Sequence, residues 1–79
     1  MAHVRFFAAA RAAAGTPTEE QPATTVADLL DCLTGRHGDA LARVLARSSV
    51  LVNGVVCHDH AEPLAAGATV DILPPFAGG

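Results

Sequence analysis

Residues 49–57 read Ser49-Val50-Leu51-Val52-Asn53-Gly54-Val55-Val56-Cys57, two apolar runs separated by Asn-Gly. Asn-Gly accepts the positive φ of a two-residue turn, so this stretch predicts an antiparallel hairpin. Beyond a polar loop, Thr69 to Leu73 reads as another strand. Pro74-Pro75 ends its ladder, because proline has no N–H to donate, and sends the chain outward. At the other end, His3 to Ala8 alternates as a strand, with Val4, Phe6 and Ala8 on one face and His3, Arg5 and Phe7 on the other.

Between these strands the pattern turns helical. Ala8 to Ala14 is alanine-rich and Gly15 is placed to stop it. Thr16 to Pro22 is polar with prolines near both ends, and fits an edge strand or hairpin arm. Thr25 and Asp28 stand in capping-box spacing, and Val26, Leu29, Leu30 and Leu33 form one apolar stripe at i, i+3, i+4 and i+7. Gly35 and Gly38 close that helix, and Asp39 stands to cap a second short one that turns Leu41, Val44 and Leu45 inward. The order is strand, short helix, strand, helix, helix, then three strands. It predicts an α+β fold: a mixed sheet of about five strands, the first and last as central neighbours, with helices on one face.

Composition limits what such a domain can do. Of 79 residues 51% are hydrophobic, but 17 are alanine, so large apolar side chains suffice for one sheet packed on one or two helices. A deep pocket with its own catalytic shell does not fit inside, and chemistry must sit at the surface or be shared with a partner. The net charge is −3, lysine is absent, and Arg5, Arg11, Arg36, Arg43 and Arg47 are scattered. That excludes a nucleic-acid partner. No apolar stretch reaches the ~20 residues that span a bilayer, which argues against a membrane role. Met1 to Phe7 lacks the features of a signal peptide, and two cysteines make no disulfide framework, so a cytoplasmic protein with reduced thiols is expected.

Pro74-Pro75-Phe76-Ala77-Gly78-Gly79 divides the chain into a domain, 1–73, and a tail, 74–79. Six residues extend about 20 Å at about 3.3 Å each. The prolines stiffen the root, and two glycines strip the tip of bulk, so it can enter a narrow channel and expose its last carbonyl to attack from either side. A carboxylate is a poor acyl donor until activated. Adenylation makes it a mixed anhydride, and attack by sulfur on that anhydride yields a thiocarboxylate. The expected working group is therefore the Gly79 carboxylate.

Three stretches carry a family resemblance: VRFFAAARAAAG at the start, VLVNG in the middle and EPLAAGATVDILPPFAGG at the end. Over nearly its whole length the chain resembles the MoaD/ThiS-type ubiquitin-like sulfur carriers, and among them the small subunit of molybdopterin synthase. The resemblance implies the β-grasp, or ubiquitin-like, fold. It also implies a cycle in which an ATP-dependent, ubiquitin-activating-type enzyme adenylates Gly79 and a sulfurtransferase or cysteine desulfurase supplies sulfur. The carrier then docks with a larger synthase subunit and delivers sulfur to a pterin precursor. ATP is used by the activating partner, and the carrier itself holds no cofactor. By motif, Phe7, Arg11, Phe76, Gly78 and Gly79 would contact partners. Ala68 and Ala12 depart from the family pattern, which usually has an acid after the glycine of the PL-x-x-G turn and often Glu after the arginine.

Strand alternation independently leaves Phe7, Leu51 and Leu73 on the sheet face away from Val4, Phe6, Val50, Val52, Val70 and Ile72. With one helix layer the first face is uncovered, and an apolar cluster there, continuing through Pro75 and Phe76, would form a partner patch. Cys57-His58-Asp59-His60 has Cys-x-x-His spacing, but a structural zinc takes four ligands and no second pair exists, so no metal is expected. Cys32 reads as a small, partly buried helix residue.

The function expected is a carrier whose Gly79 thiocarboxylate donates sulfur in molybdenum cofactor biosynthesis, a subunit of a synthase and not an enzyme alone. Within that class, thiamine, cysteine or a sulfur-containing natural product could be the destination. In other classes stand a ubiquitin-like protein modifier, with Gly79 joined to lysines of other proteins, and a plain binding module.

Overall fold

The computed structural model describes residues 1–75. Eight elements follow in order: β1 (Ala2–Phe6), α1 (Ala9–Ala14), β2 (Thr18–Gln21), α2 (Val26–His37), α3 (Asp39–Leu45), β3 (Ser49–Val52), β4 (Val55–Val56) and β5 (Thr69–Leu73). They build one mixed sheet in the order β2-β1-β5-β3-β4. β1 and β5 are parallel central neighbours and every other pair is antiparallel.

The local chemistry explains most boundaries. Thr25 Oγ1 accepts the Asp28 N–H at 3.1 Å and starts α2. The return arm is looser: Asp28 Oδ2 accepts from the Thr24 N–H at 3.4 Å. Asn53 and Gly54 hold φ of 49° and 83°, the left-handed pair of a tight hairpin turn. Asn53 is also tied to β5, its N–H donating to Thr69 O and its Oδ1 accepting from the Thr69 N–H. Gly15 N–H donates to Arg11 O and closes α1.

Three boundaries differ from expectation. β1 stops at Phe6, not Ala8, because Ala8 adopts φ 51° and turns the chain into α1. Residues Phe7 and Ala8 therefore lie beyond the strand. α2 runs through Gly35 to His37 before Gly38 ends it. Asp39 caps nothing; it is the first residue of α3, and Gly38 serves both as the C-cap of α2 and as the N-cap of α3. Gly38 sits at φ 83° and ψ −163°, a region that residues with a Cβ avoid.

The inner sheet face carries Val4 and Phe6 on β1, Val70 and Ile72 on β5, and Val50 and Val52 on β3, all buried. Over them lie Val26, Leu29 and Leu33 of α2, Leu41 of α3 and Ala10 of α1, so the helices share one face. Parallel pairing of β1 with β5 brings the end of β1 and the end of β5 to the same pole. The start of β3 arrives there too, since Ser49 pairs with Leu73. The Thr25 end of α2 and the loop 57–67 close the opposite pole, where Val26 N–H donates to Glu62 O and Gly67 N–H to Met1 O.

Candidate functional site

The pole at which β5 ends is the candidate site. Just past β1 the Phe7 N–H donates to Ile72 O at 3.1 Å, and Leu73 pairs with Ser49 before β5 gives way to exposed Pro74 and Pro75. Phe76, Ala77, Gly78 and Gly79 lie outside the described residues. Beside the prolines opens a groove of about 470 Å³. It is lined by Phe7 and Ala8, by Ala9 and Ala10 of α1, by Arg43 and Val44 of α3, and by Arg47 and Ser48. Arg11 faces a neighbouring hollow of about 590 Å³ formed with Gly15, Thr16 and Pro17, and Ala8 lines both. The geometry thus puts Phe7, Arg11 and Pro75 around the root of the tail.

The open sheet face has a different character from the apolar cluster expected. One register row runs Thr18, Arg5, Asp71, Leu51, Val56 across all five strands. Its centre is an ion pair: Arg5 donates through Nε and Nη2 to both oxygens of Asp71. Asp71 is buried, while Leu51 and Leu73 are half-buried and Val56 is exposed. Strand alternation read the apolar residues onto the right face but passed over the carboxylate between them. The Arg5 guanidinium carbon lies 5.9 Å from the centroid of the Phe7 ring, linking this row to the groove.

The Cys57 thiol lies away from this pole and is engaged elsewhere. Burial pushes the Cys57 thiol up, nearby Glu62 and Asp59 push it the same way, and its Sγ–H is spent on Asp59 O. A raised pKa keeps sulfur as the thiol, the poor nucleophile. Among the described residues no three His, Cys, Asp or Glu side chains gather closely enough to hold a metal ion. Cys32 is half-buried on α2. No described helix is long and apolar enough to cross a membrane.

A cluster absent from the sequence reading closes the inner face beside β2. Glu19 accepts hydrogen bonds from Gln21 and from His37 Nε2 at 2.7 Å, with Arg36 Nε at 3.4 Å. Burial raises the Glu19 carboxyl, but the bonds from Gln21 and His37 and the charges of His37 and Arg36 outweigh it and hold the group below its ordinary value. The His37 ring in turn meets Phe6 edge-on at 6.1 Å between centroids. The signal that could have found it is period two in Thr18 to Gln21, which puts Glu19 and Gln21 under the helices.

With that geometry in place the chain can be compared with known proteins. The ThiS family model matches residues 4–79. No curated protein matches significantly. Among solved structures, SAMP1 from Haloferax volcanii is 32% identical, with a TM-score of 0.76, covering 99% of this chain and 98% of that one. A molybdopterin converting factor subunit 1 from Pyrococcus furiosus is 26% identical, with a TM-score of 0.76, over 95% of this chain and 97% of that one. A chain of the BexX/CysO complex from Amycolatopsis orientalis is 25% identical, with a TM-score of 0.81, over 100% of both.

Proposed function

Because the chain belongs to the ThiS family of ubiquitin-like sulfur carriers, we propose that it carries sulfur as a thiocarboxylate on Gly79 and serves as the small subunit of a molybdopterin synthase. The observation that carries the reading is the central strand β5 ending in an exposed Pro74-Pro75 root, on a domain whose described side chains form no catalytic constellation. The hydrogen-bonded Glu19–His37 pair closes the inner face beside β2, away from the tail, and lines neither hollow at its root. Here the main-chain carboxylate is the reactive group left to use.

The chemistry follows from that group. The Gly79 carboxylate attacks the α-phosphorus of ATP in the activating enzyme and pyrophosphate leaves. A persulfide on a sulfurtransferase or cysteine desulfurase then displaces AMP from the acyl carbon to give an acyl disulfide. A second thiol attacks the donor protein's sulfur, forming a disulfide with it and releasing the thiocarboxylate. On the larger synthase subunit that sulfur attacks the pterin precursor. The domain's task is to present the tail and to be recognised. Similarity to the Pyrococcus converting factor subunit supports this destination. Thiamine, cysteine or natural-product synthesis would use the same tail, and the likeness to a chain of the BexX/CysO complex supports a carrier that works in complex with a partner protein.

A second reading rests on the higher identity to the Haloferax SAMP1, named a small archaeal modifier protein. On that reading the adenylate is passed to lysines of other proteins as an isopeptide. Intact mass separates the two. Incubation with the activating enzyme, ATP and a sulfur source adds about 16 Da, one oxygen exchanged for sulfur, on the carrier reading. Deleting Gly79 or appending one residue abolishes the gain without changing the melting temperature. Lysine-linked conjugates in cells establish the modifier, and no mass change with any adenylating enzyme overturns both.

A further inference from the structure

We propose that Arg43 and Arg47, with the apolar groove between them and Pro74-Pro75, form a docking element for an acidic segment of the protein that receives the tail; the proposal rests on the carrier reading above.

The five arginines are not equivalent. Arg5 is paired with Asp71 and Arg36 with Glu19, whereas Arg11, Arg43 and Arg47 have no ion-pair partner among the described residues. All three unpaired arginines lie at the tail pole, lining the two adjoining hollows. Four exposed carboxylates gather at the other pole, while Asp39 opens α3 one turn before Arg43. Asp28 and Asp31 stand on the first turns of α2, and Asp59 and Glu62 on the loop whose carbonyls cap it. A chain of net charge −3 thus shows a cationic end around the root of its tail. Arg43, in the last turn of α3, and Arg47, just past its end, both line the same slot.

The lining decides what the slot takes. Ala8 to Ala10, Val44 and the two prolines offer apolar surface, which suits an apolar side chain set between carboxylates on a protein segment and gives a free phosphate nothing. Geometry decides where that segment comes from. A protein that draws Gly79 into a site must lie over Pro74-Pro75, and the groove begins at those residues. Exposed charge pairs at such a rim speed encounter and fix orientation more than they add affinity in salt, so the signature is a salt-dependent association rate.

The test uses the full chain and its adenylating enzyme, with binding measured at low and physiological ionic strength and thiocarboxylate formation read by intact mass. Arg43→Glu/Arg47→Glu is expected to bind about tenfold more weakly at low salt and to lose most of the salt dependence, at an unchanged melting temperature. Arg43→Lys/Arg47→Lys restores binding to within about threefold, because the charge remains. Asp28→Lys/Asp31→Lys, at the far pole, binds as wild type. Arg43 stands in the last turn of α3; if the double reversal lowers the melting temperature, Arg47→Glu, outside the helix, carries the comparison. Wild-type affinity of the folded reversal variants, while wild type gains the thiocarboxylate, overturns the docking element and leaves the carrier reading standing. Absence of both binding and mass gain in wild type overturns the two together. Self-association abolished by reversal at either pole assigns the groove to a second copy and overturns the proposal as stated.

Discussion

Arg5 and Asp71, 66 residues apart in sequence, form a bidentate ion pair across the two central strands, Nε to Oδ1 at 2.5 Å and Nη2 to Oδ2 at 2.7 Å. The Asp71 side chain is 9% exposed and that of Arg5 48%. The carboxylate has lost most of its water and the guanidinium replaces it, while Asp71's hydrogen bond and charge hold the Arg5 pKa up. Arg5→Ala strands a charge in a dry site, whereas Arg5→Leu/Asp71→Leu removes charge from both sides. The double variant is therefore expected to melt above the Arg5→Ala single. Thermal melts at pH 7 check it, and equal melting of Arg5→Ala and wild type would show that the pair contributes nothing.

The inner face makes a different demand. Leu29 and Leu33 are 0% exposed, locking α2 onto the sheet. Truncating either to alanine leaves a cavity and should cost about 2–5 kcal/mol. Leu30, half-buried at the margin, should cost about 1 kcal/mol. Urea unfolding of the three variants gives the ranking. If Leu30→Ala proves the most damaging, the helix face has been misassigned.

Glu19 predicts a pH dependence whose sign is fixed. Its folded pKa lies below the ordinary 4.5, so the unfolded chain takes up the proton first as pH falls. The stabilisation is complete above about pH 4.5 and is lost as pH drops through the folded value. Glu19→Gln has no such proton to bind. Wild-type stability should fall more steeply than that of Glu19→Gln between about pH 5 and pH 3. Parallel curves over that range would show that the contacts of Glu19 with His37, Gln21 and Arg36 do not act through its charge.

What could be read without coordinates was what depends on near neighbours. The Thr25–Asp28 cap, the Asn53-Gly54 turn and the Leu29–Leu33 stripe each follow from residues within one or two turns of each other, and each stands where expected. The central pairing of β1 and β5 followed from two strands too apolar to lie at an edge. The ion pair of Arg5 with Asp71 was hidden, because only the parallel register sets those two side by side. Glu19 and His37 were hidden likewise, meeting only once α2 crosses back over β2. Asp39 misled for the opposite reason: its type suits a cap, but Gly38, which must serve two helices in a conformation open to glycine, occupies that place. At the candidate site the exit of the chain from the sheet at Pro74 stands where expected, while Arg43 and Arg47 appeared beside it only when α3 packed beside α1.

Phe7 is the side chain on which the docking surface is most simply tested. It is 39% exposed, stands outside β1, walls the groove and lies against Arg5, so it contributes more to the surface than to the core. Phe7→Ala should therefore change stability by less than about 1 kcal/mol, yet weaken binding to the activating enzyme or the larger synthase subunit about tenfold or more, as loss of an aromatic anchor does. Phe76→Ala, two residues beyond Pro74, should weaken the same binding. The two effects should combine less than additively if both rings enter a single partner surface. Wild-type binding by both single variants in a quantitative pull-down would remove the aromatic residues from the interface and leave recognition to the arginines and the Gly-Gly end.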